Sequence, residues 1–338
     1  MNHRFPNSLR PLVILMTCGW LMPLSVGAQA PNDTSADNVY TPPRTPFGQP
    51  DLQGFWTNAT YTPLERPDDV TQAFYTPEEL AERLARAAAR ESAQTVLGTT
   101  ADVHYDFTQF GLDRSQSTFA EDLRTSLIVD PPNGRIPPMT AEGKRRNAER
   151  EAARGGRWDS AQDNQLDDRC IIMRGSGPPM MNTSYNSNYQ IVQMPGYLMI
   201  LVEMIHDVRI IPLDGRPQPH SRLRQWMGTS RGRWEGDTLV VETTNFNGKN
   251  PFWGSSENMR VIERFTRVAE DSIRYTFTVE DESTWVRPWT GELQMKATQG
   301  PLFEHACHEG NYGLYNTLVG ARLEEQRAAE EAKRVEQD

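Results

Sequence analysis

Apolar and polar residues alternate along most of the second half of the chain, most sharply from Tyr189 to Gly215, YQIVQMPGYLMILVEMIHDVRIIPLDG. A period of two places successive side chains on opposite faces of a strand, so this stretch predicts a strand, a Pro195-Gly196 turn, a second strand, a polar corner and a third strand. In the middle strand Leu198, Ile200 and Val202 share one face, and Tyr197, Met199, Leu201 and Glu203 share the other. Both faces are largely apolar, which predicts burial on both sides.

The alternation recurs downstream. Leu239 and Val241 mark one strand face, Val261, Glu263 and Phe265 another, and Ile273, Tyr275, Phe277 and Val279 a third. Turn chemistry separates the runs at Asp214-Gly215, Glu235-Gly236-Asp237, Glu270-Asp271 and Gln299-Gly300-Pro301. With no helix between consecutive runs, neighbouring strands are expected to pair antiparallel. The fold class is therefore mainly β. Such a meander hides its apolar face by closing or by packing on a second sheet, and the bulky inward positions favour a lipocalin-like barrel with a pocket.

Upstream the pattern is mixed. Asp51 to Trp56 predicts a short first strand, and Gly54-Phe55-Trp56 also fits the Gly-x-Trp that opens lipocalin barrels. Thr76-Pro77-Glu78-Glu79 is a helix start with a hydroxyl cap, Pro at the first helical position and Glu79 placed for a capping box; Gly98 ends that helix. Thr99 to Ala120 loses its period and predicts a surface loop, with His104, Tyr105, Asp106, Phe107 and Phe110 as an aromatic cluster. Ser126 to Asp130 predicts a strand, and Thr140 to Arg154 a solvated helix charged on nearly every side. Helix resumes after Tyr312. The expected organisation is 1–28 signal peptide, 29–50 extended arm, 51–180 mixed helix and loop packing on the barrel, 181–315 barrel core, and 316–338 charged C-terminal helix.

Composition adds a location. Arg4 and Arg10, the apolar run Leu12 to Leu24 and the small residues Val26-Gly27-Ala28 form a secretory signal cut after Ala28, which predicts a periplasmic or secreted protein. Removing the two arginines takes the net charge from -10 to -12. That acidity argues against a nucleic-acid or anionic-membrane partner, and no later apolar run is long enough for a membrane span. Cys170 and Cys307 remain; after export their default is a disulfide, the alternative being one nucleophilic thiol.

The candidate chemistry lies in two segments. Glu203 reaches the buried end of its strand, with His206 and Asp207 at the corner; a carboxylate there must be paired, bound to metal or raised in pKa. A purely structural pairing of Glu203 with Arg209 or Arg264 is the alternative. The second segment is Phe303 to Tyr312, FEHACHEGNY, read as a continuing strand on which His305 and Cys307 face one way and Ala306 and His308 the other. Glu203, His206 and His308 are then candidate proton carriers, with Asp207 orienting an imidazole and Glu309 partnering His308. Arg209 or Arg264 would hold an anionic group, with Glu263 and Asn311 as further pocket groups. His-x-x-His on a strand splits its imidazoles between faces, so neither metal nor cofactor is expected. The Gly-rich piece from Arg174 to Pro179 lacks the Lys and helix of a phosphate loop, and no G-x-S-x-G marks a serine hydrolase.

Taken together, Pro50 to Gly54, Thr62 to Pro67, Met204 to Asp207, Arg233 to Val241, Glu263 to Arg267 and Ala306 to Tyr312 resemble a large group of secreted proteins from environmental bacteria. The resemblance implies export and a shared fold, and carries no established activity. The expected function is binding of a small, partly apolar organic molecule with acid/base chemistry of a lyase, isomerase or hydrolase. A non-catalytic carrier or scavenger and a structural envelope protein are the alternatives.

Overall fold

Ten strands form one antiparallel sheet that rolls up until its two end strands lie side by side. The computed structural model describes residues 40–91, 123–154, 158–173, 175–183 and 185–335. The leader, the first half of the arm, the helix end at Gly98, the aromatic cluster at 104–110 and Arg174 lie outside them. The strands are β1 (Gly54–Thr57), β2 (Ile128–Asp130), β3 (Asn188–Met194), β4 (Tyr197–Val202), β5 (Val208–Pro212), β6 (Thr229–Glu235), β7 (Thr238–Thr244), β8 (Arg260–Ala269), β9 (Ser272–Glu280) and β10 (Trp289–Ala297). The helices are α1 (Pro77–Glu91), α2 (Ala141–Arg154) and α3 (Tyr312–Val335).

The order across the sheet is β5-β4-β3-β1-β10-β9-β8-β7-β6, with β2 added on β10. Two meanders, β3 to β5 and β6 to β10, are thus joined through β1, so a strand from the region expected only to pack on the barrel is part of its wall. Barrel closure is the part of the lipocalin comparison that this order supports. No backbone ladder joins β5 to β6. They meet through side chains: a Cβ on Gly232 of β6 would lie 2.5 Å from Leu213 and 3.0 Å from Ile211, so only glycine lets the edges come this close.

Register explains the filling of the barrel. Gly232, Val241, Glu263, Phe277 and Gly291 form one inward row across five strands, each paired with the next. Gly291 is required there, because the Phe277 ring lies 2.3 Å from where its Cβ would be. Aromatic rings then follow one another lengthwise, tilted from Phe265 to Tyr275 at 4.9 Å and from Tyr275 to Phe277 at 5.7 Å, edge-to-face from Phe277 to Trp289 at 5.9 Å and stacked from Trp289 to Phe252 at 6.0 Å. Each such side chain stabilises by about 1.5–3 kcal/mol through burial. The described interior is packed with side chains rather than left open as a calyx.

One burial expectation is corrected. Leu198, Ile200 and Val202 are fully buried, but Tyr197, Met199 and Leu201 on the other face of β4 are only half-buried. Arg216 lies over the Tyr197 ring and donates to its hydroxyl at 2.7 Å, while the neighbouring Ile210 is 61% exposed. The apolar run thus reflects one inner face and one partly wet outer face.

The two ends are closed differently. At one, residues 40–53 form a plug. Leu52 N–H donates to Gln193 Oε1 at 2.6 Å, Arg267 donates to the Asp51 carbonyl at 2.8 Å and lies over the Trp56 ring, and Arg44 pairs with Asp237 at 2.6 Å. At the other end loops and α2 converge. The solvated-helix expectation holds for most of α2, but one face packs through polar groups: Gly143 is buried on the Thr284 backbone, Arg146 donates to the Thr284 hydroxyl, and Arg150 donates to the carbonyls of Gly248, Gly254 and Ser255. Residues at i, i+3 and i+7 share one helix side whatever their polarity. The capping box of α1 forms as expected, with Glu79 N–H donating to the Thr76 hydroxyl at 3.2 Å and Thr76 N–H to Glu79 Oε2 at 2.9 Å.

Asp281 ties this second end together. Its carboxylate accepts from Ser256 N–H at 2.6 Å, Ser283 Oγ at 2.7 Å and Thr284 Oγ1 at 2.7 Å. Burial works against the charge, but the donors of Ser256, Thr284 and Ser283 outweigh it and hold the pKa below the ordinary 3.8. A lowered folded-state pKa gives stability that is complete above the unfolded value and lost as pH falls through the folded one. The melting temperature is therefore expected to drop below about pH 4. In calorimetric pH series Asp281→Asn should start less stable at neutral pH and decline less in acid. Equal acid slopes in both proteins would remove Asp281 as the cause.

Candidate functional site

An apolar cavity of about 490 Å³ opens at the end of the barrel where β1 finishes, β3 begins and β4 turns into β5. Its walls include Tyr61, Met173, Met181, Tyr185, Met204 and Trp253. Methionine and aromatic rings of this kind give adaptable, polarisable apolar surface. Phe252, another lining residue, is the outer member of the aromatic column, so the cavity rests directly on the core.

The floor is held by a hydrogen-bond chain that rises from inside the barrel. Arg209 on β5 grips Glu263 on β8 with both guanidinium ends, one contact at 3.0 Å and the other shorter. Tyr275 donates to Glu263 Oε1 at 2.9 Å and accepts from Met180 N–H at 2.8 Å. Asn58 donates to the Met180 carbonyl at 3.2 Å and to the Tyr189 hydroxyl at 3.0 Å. Met180 plugs the lumen, and Met181 beside it faces the cavity. Burial works against the Arg209 charge, yet Glu263 outweighs it and raises the pKa above its ordinary value. Burial, followed by the Glu263 charge, pushes the Tyr275 hydroxyl well up; burial likewise raises Tyr189.

Backbone strain collects at the rim. Trp253 has φ 48°, and Ile205 and His206, which follow the lining residue Met204, have φ 64° and 56°. Positive φ is an outlier for a bulky or β-branched residue and costs about 1–3 kcal/mol, so the surroundings must impose it. Around Trp253 that restraint is visible: Phe252 N–H donates to Ser255 Oγ at 2.9 Å, Ser255 N–H returns to the Phe252 carbonyl at 3.0 Å, and a Cβ on Gly254 would strike Asn147 at 2.3 Å. The result leaves the indole 44% exposed beside the cavity.

The residues singled out in the sequence do not assemble into one catalytic group. Glu203 is buried, at 4% exposure, but lies just past β4 and spends both oxygens on structure: Asn188 donates to Oε2 at 2.6 Å and Phe303 N–H to Oε1 at 3.2 Å. It therefore pairs with neither Arg209 nor Arg264. His206 and His308 are exposed, as is Glu309. Asp207 accepts from its neighbour Val208 N–H at 2.7 Å. Arg264 points outward to Glu235 at 2.9 Å, while Arg209 and Glu263 neutralise each other inside the lumen.

The 303–312 segment is not a strand. It runs as coil and turn until α3 begins at Tyr312, with Cys307 N–H donating to the His305 carbonyl at 2.8 Å and Glu309 N–H to the Ala306 carbonyl at 3.0 Å, so alternation of faces does not apply. Cys170 and Cys307 form the expected disulfide. Asn311 supports it by donating to the Asp168 carbonyl at 2.7 Å.

The cavity-lining residues Tyr61, Met173, Met181, Phe252 and Trp253 were not legible as a site. The one available signal was the aromatic pair Phe252-Trp253 in a loop between Pro251 and Gly254, where ordinary turns carry polar residues. No protein-family model matches the chain, and no curated protein or solved structure is significantly similar to it.

Proposed function

We propose that this is an exported protein that holds a small, partly apolar organic molecule in the cavity between Tyr61, Met181 and Trp253. The observation that carries the reading is the strained backbone beside that cavity, at its lining residue Trp253 and at Ile205-His206, which follow its lining residue Met204. Its volume of about 490 Å³ falls within the roughly 300–1,000 Å³ of small-molecule sites. Export is supported by the N-terminal signal pattern, by a disulfide suited to an oxidising compartment and by the resemblance to secreted bacterial proteins.

Binding without chemistry is the reading favoured here. Glu203 is already committed on both oxygens, and the exposed His206 and His308 lack the enclosed setting that tunes a proton carrier. Titration with the apolar fluorophore 1-anilinonaphthalene-8-sulfonate tests it. Saturable binding to the folded wild type is expected, weakened by about tenfold in Trp253→Ala. Equal binding to wild type and variant, with unchanged circular dichroism, would remove this cavity as the site.

A further inference from the structure

A second cavity, of about 410 Å³, lies between residues 158–167 and the loop 249–251, and shares no lining residue with the apolar one. Its lining has a different chemistry. Trp158 presents an aromatic ring and Pro251 an aliphatic one, while the amides of Asn164, Gln165 and Asn250 set donors beside acceptors. Asn164 is the unusual member: it is only 5% exposed and its Nδ2 has no hydrogen-bond partner. Buried donors are nearly always satisfied; this one is enclosed behind the lining, which leaves Gln165 and Asn250 as the amides that face the cavity.

The charges narrow the ligand. Asp163, Asp167 and Lys249 bring both signs to the same cavity, so no single-sign field selects an ion. Asp163 is also partly spent, since its Oδ2 accepts from Ser160 N–H at 2.7 Å and from Ser160 Oγ at 3.1 Å. Adjacent donors and acceptors suit a vicinal diol, and an indole face suits the C–H face of a sugar ring. The wall is fixed in advance. Arg322 from α3 donates to the carbonyls of Trp158 at 2.9 Å and Asp159 at 3.2 Å, and the disulfide holds the far end of the same segment.

We infer that this cavity binds a short, uncharged saccharide, with Trp158 as stacking platform and Gln165 as a hydroxyl reader. The test is isothermal titration calorimetry of the mature chain with maltotriose, cellotriose and the trimer of N-acetylglucosamine. One of the three should bind saturably, with Trp158→Ala and Gln165→Ala each weakening it by about tenfold. Trp158→Phe, which keeps an aromatic face, should retain most of the affinity. Fluorophore binding in the apolar cavity should be unchanged in all three variants, which separates failure here from failure of the first reading. The inference is overturned if none of the trisaccharides binds at about 10 mM, or if the variants bind as the wild type does.

Discussion

Glu263→Gln is expected to lower the unfolding free energy by about 3–5 kcal/mol, because it strands the buried Arg209 guanidinium without its counter-charge. Both side chains are almost completely enclosed, at 4% and 0% exposure, so water cannot take the place of the lost carboxylate. The Tyr275 hydroxyl also loses its charged acceptor. Replacing both partners, Arg209→Met with Glu263→Leu, should recover most of the loss, since the cost comes from an unpaired charge and not from absence of the pair. Denaturant unfolding of Glu263→Gln and of the double variant decides it. Near-wild-type stability of Glu263→Gln would show that the pair is not closed to solvent as described.

Loss of the disulfide is the second large effect. Cys170 and Cys307 are 137 residues apart, and in the chain-entropy model a loop of that length is worth about 5 kcal/mol. The C-terminal side holds on weakly without it. No residue of α3 is buried, and it is tied to the body by single contacts such as Arg322 to the Trp158 and Asp159 carbonyls. Cys307→Ser should therefore destabilise by about 3–5 kcal/mol and expose the segment after Gly300 to protease well before the barrel unfolds. The reduced wild type should behave alike. Unaltered proteolysis and melting would mean that the crosslink restrains little.

The barrel was legible because its information is local. Alternation at 189–215, 239–241, 261–265 and 273–279 fixes strands, and short turns such as Gly236-Asp237 leave no path but antiparallel pairing. The insertion of β1 between β10 and β3 was not legible, since nothing in four residues of strand names distant partners. The packing of α2 was hidden for a different reason. Its contact face is made of Gly143, Arg146 and Arg150, and a search for apolar stripes passes over it.

The candidate site failed to show for a third reason. Alternation grouped Glu263 with Val261 and Phe265 on one strand face and left Arg209 and Arg264 as alternatives, so it could not say that β5 and β8 would face each other across the lumen and that Arg209 would neutralise Glu263. Glu203 was correctly taken as buried. Its partners, the Asn188 amide and the Phe303 backbone, leave no signature in charge or spacing. The cavity itself is built from four separated loops, and its residues meet only after the sheet has rolled up.

The line where β5 meets β6 gives the wall an unsewn selvage. Elsewhere the circumference can widen only by tearing consecutive amide-to-carbonyl links; here it is held by methyl groups lying on Gly232 and by one bidentate clasp reaching over two strands. Since that clasp also supports, through Tyr275, the backbone beneath the apolar chamber, a slight parting of the selvage would lower the chamber's base. Girth and capacity are thus one mechanical variable in this molecule.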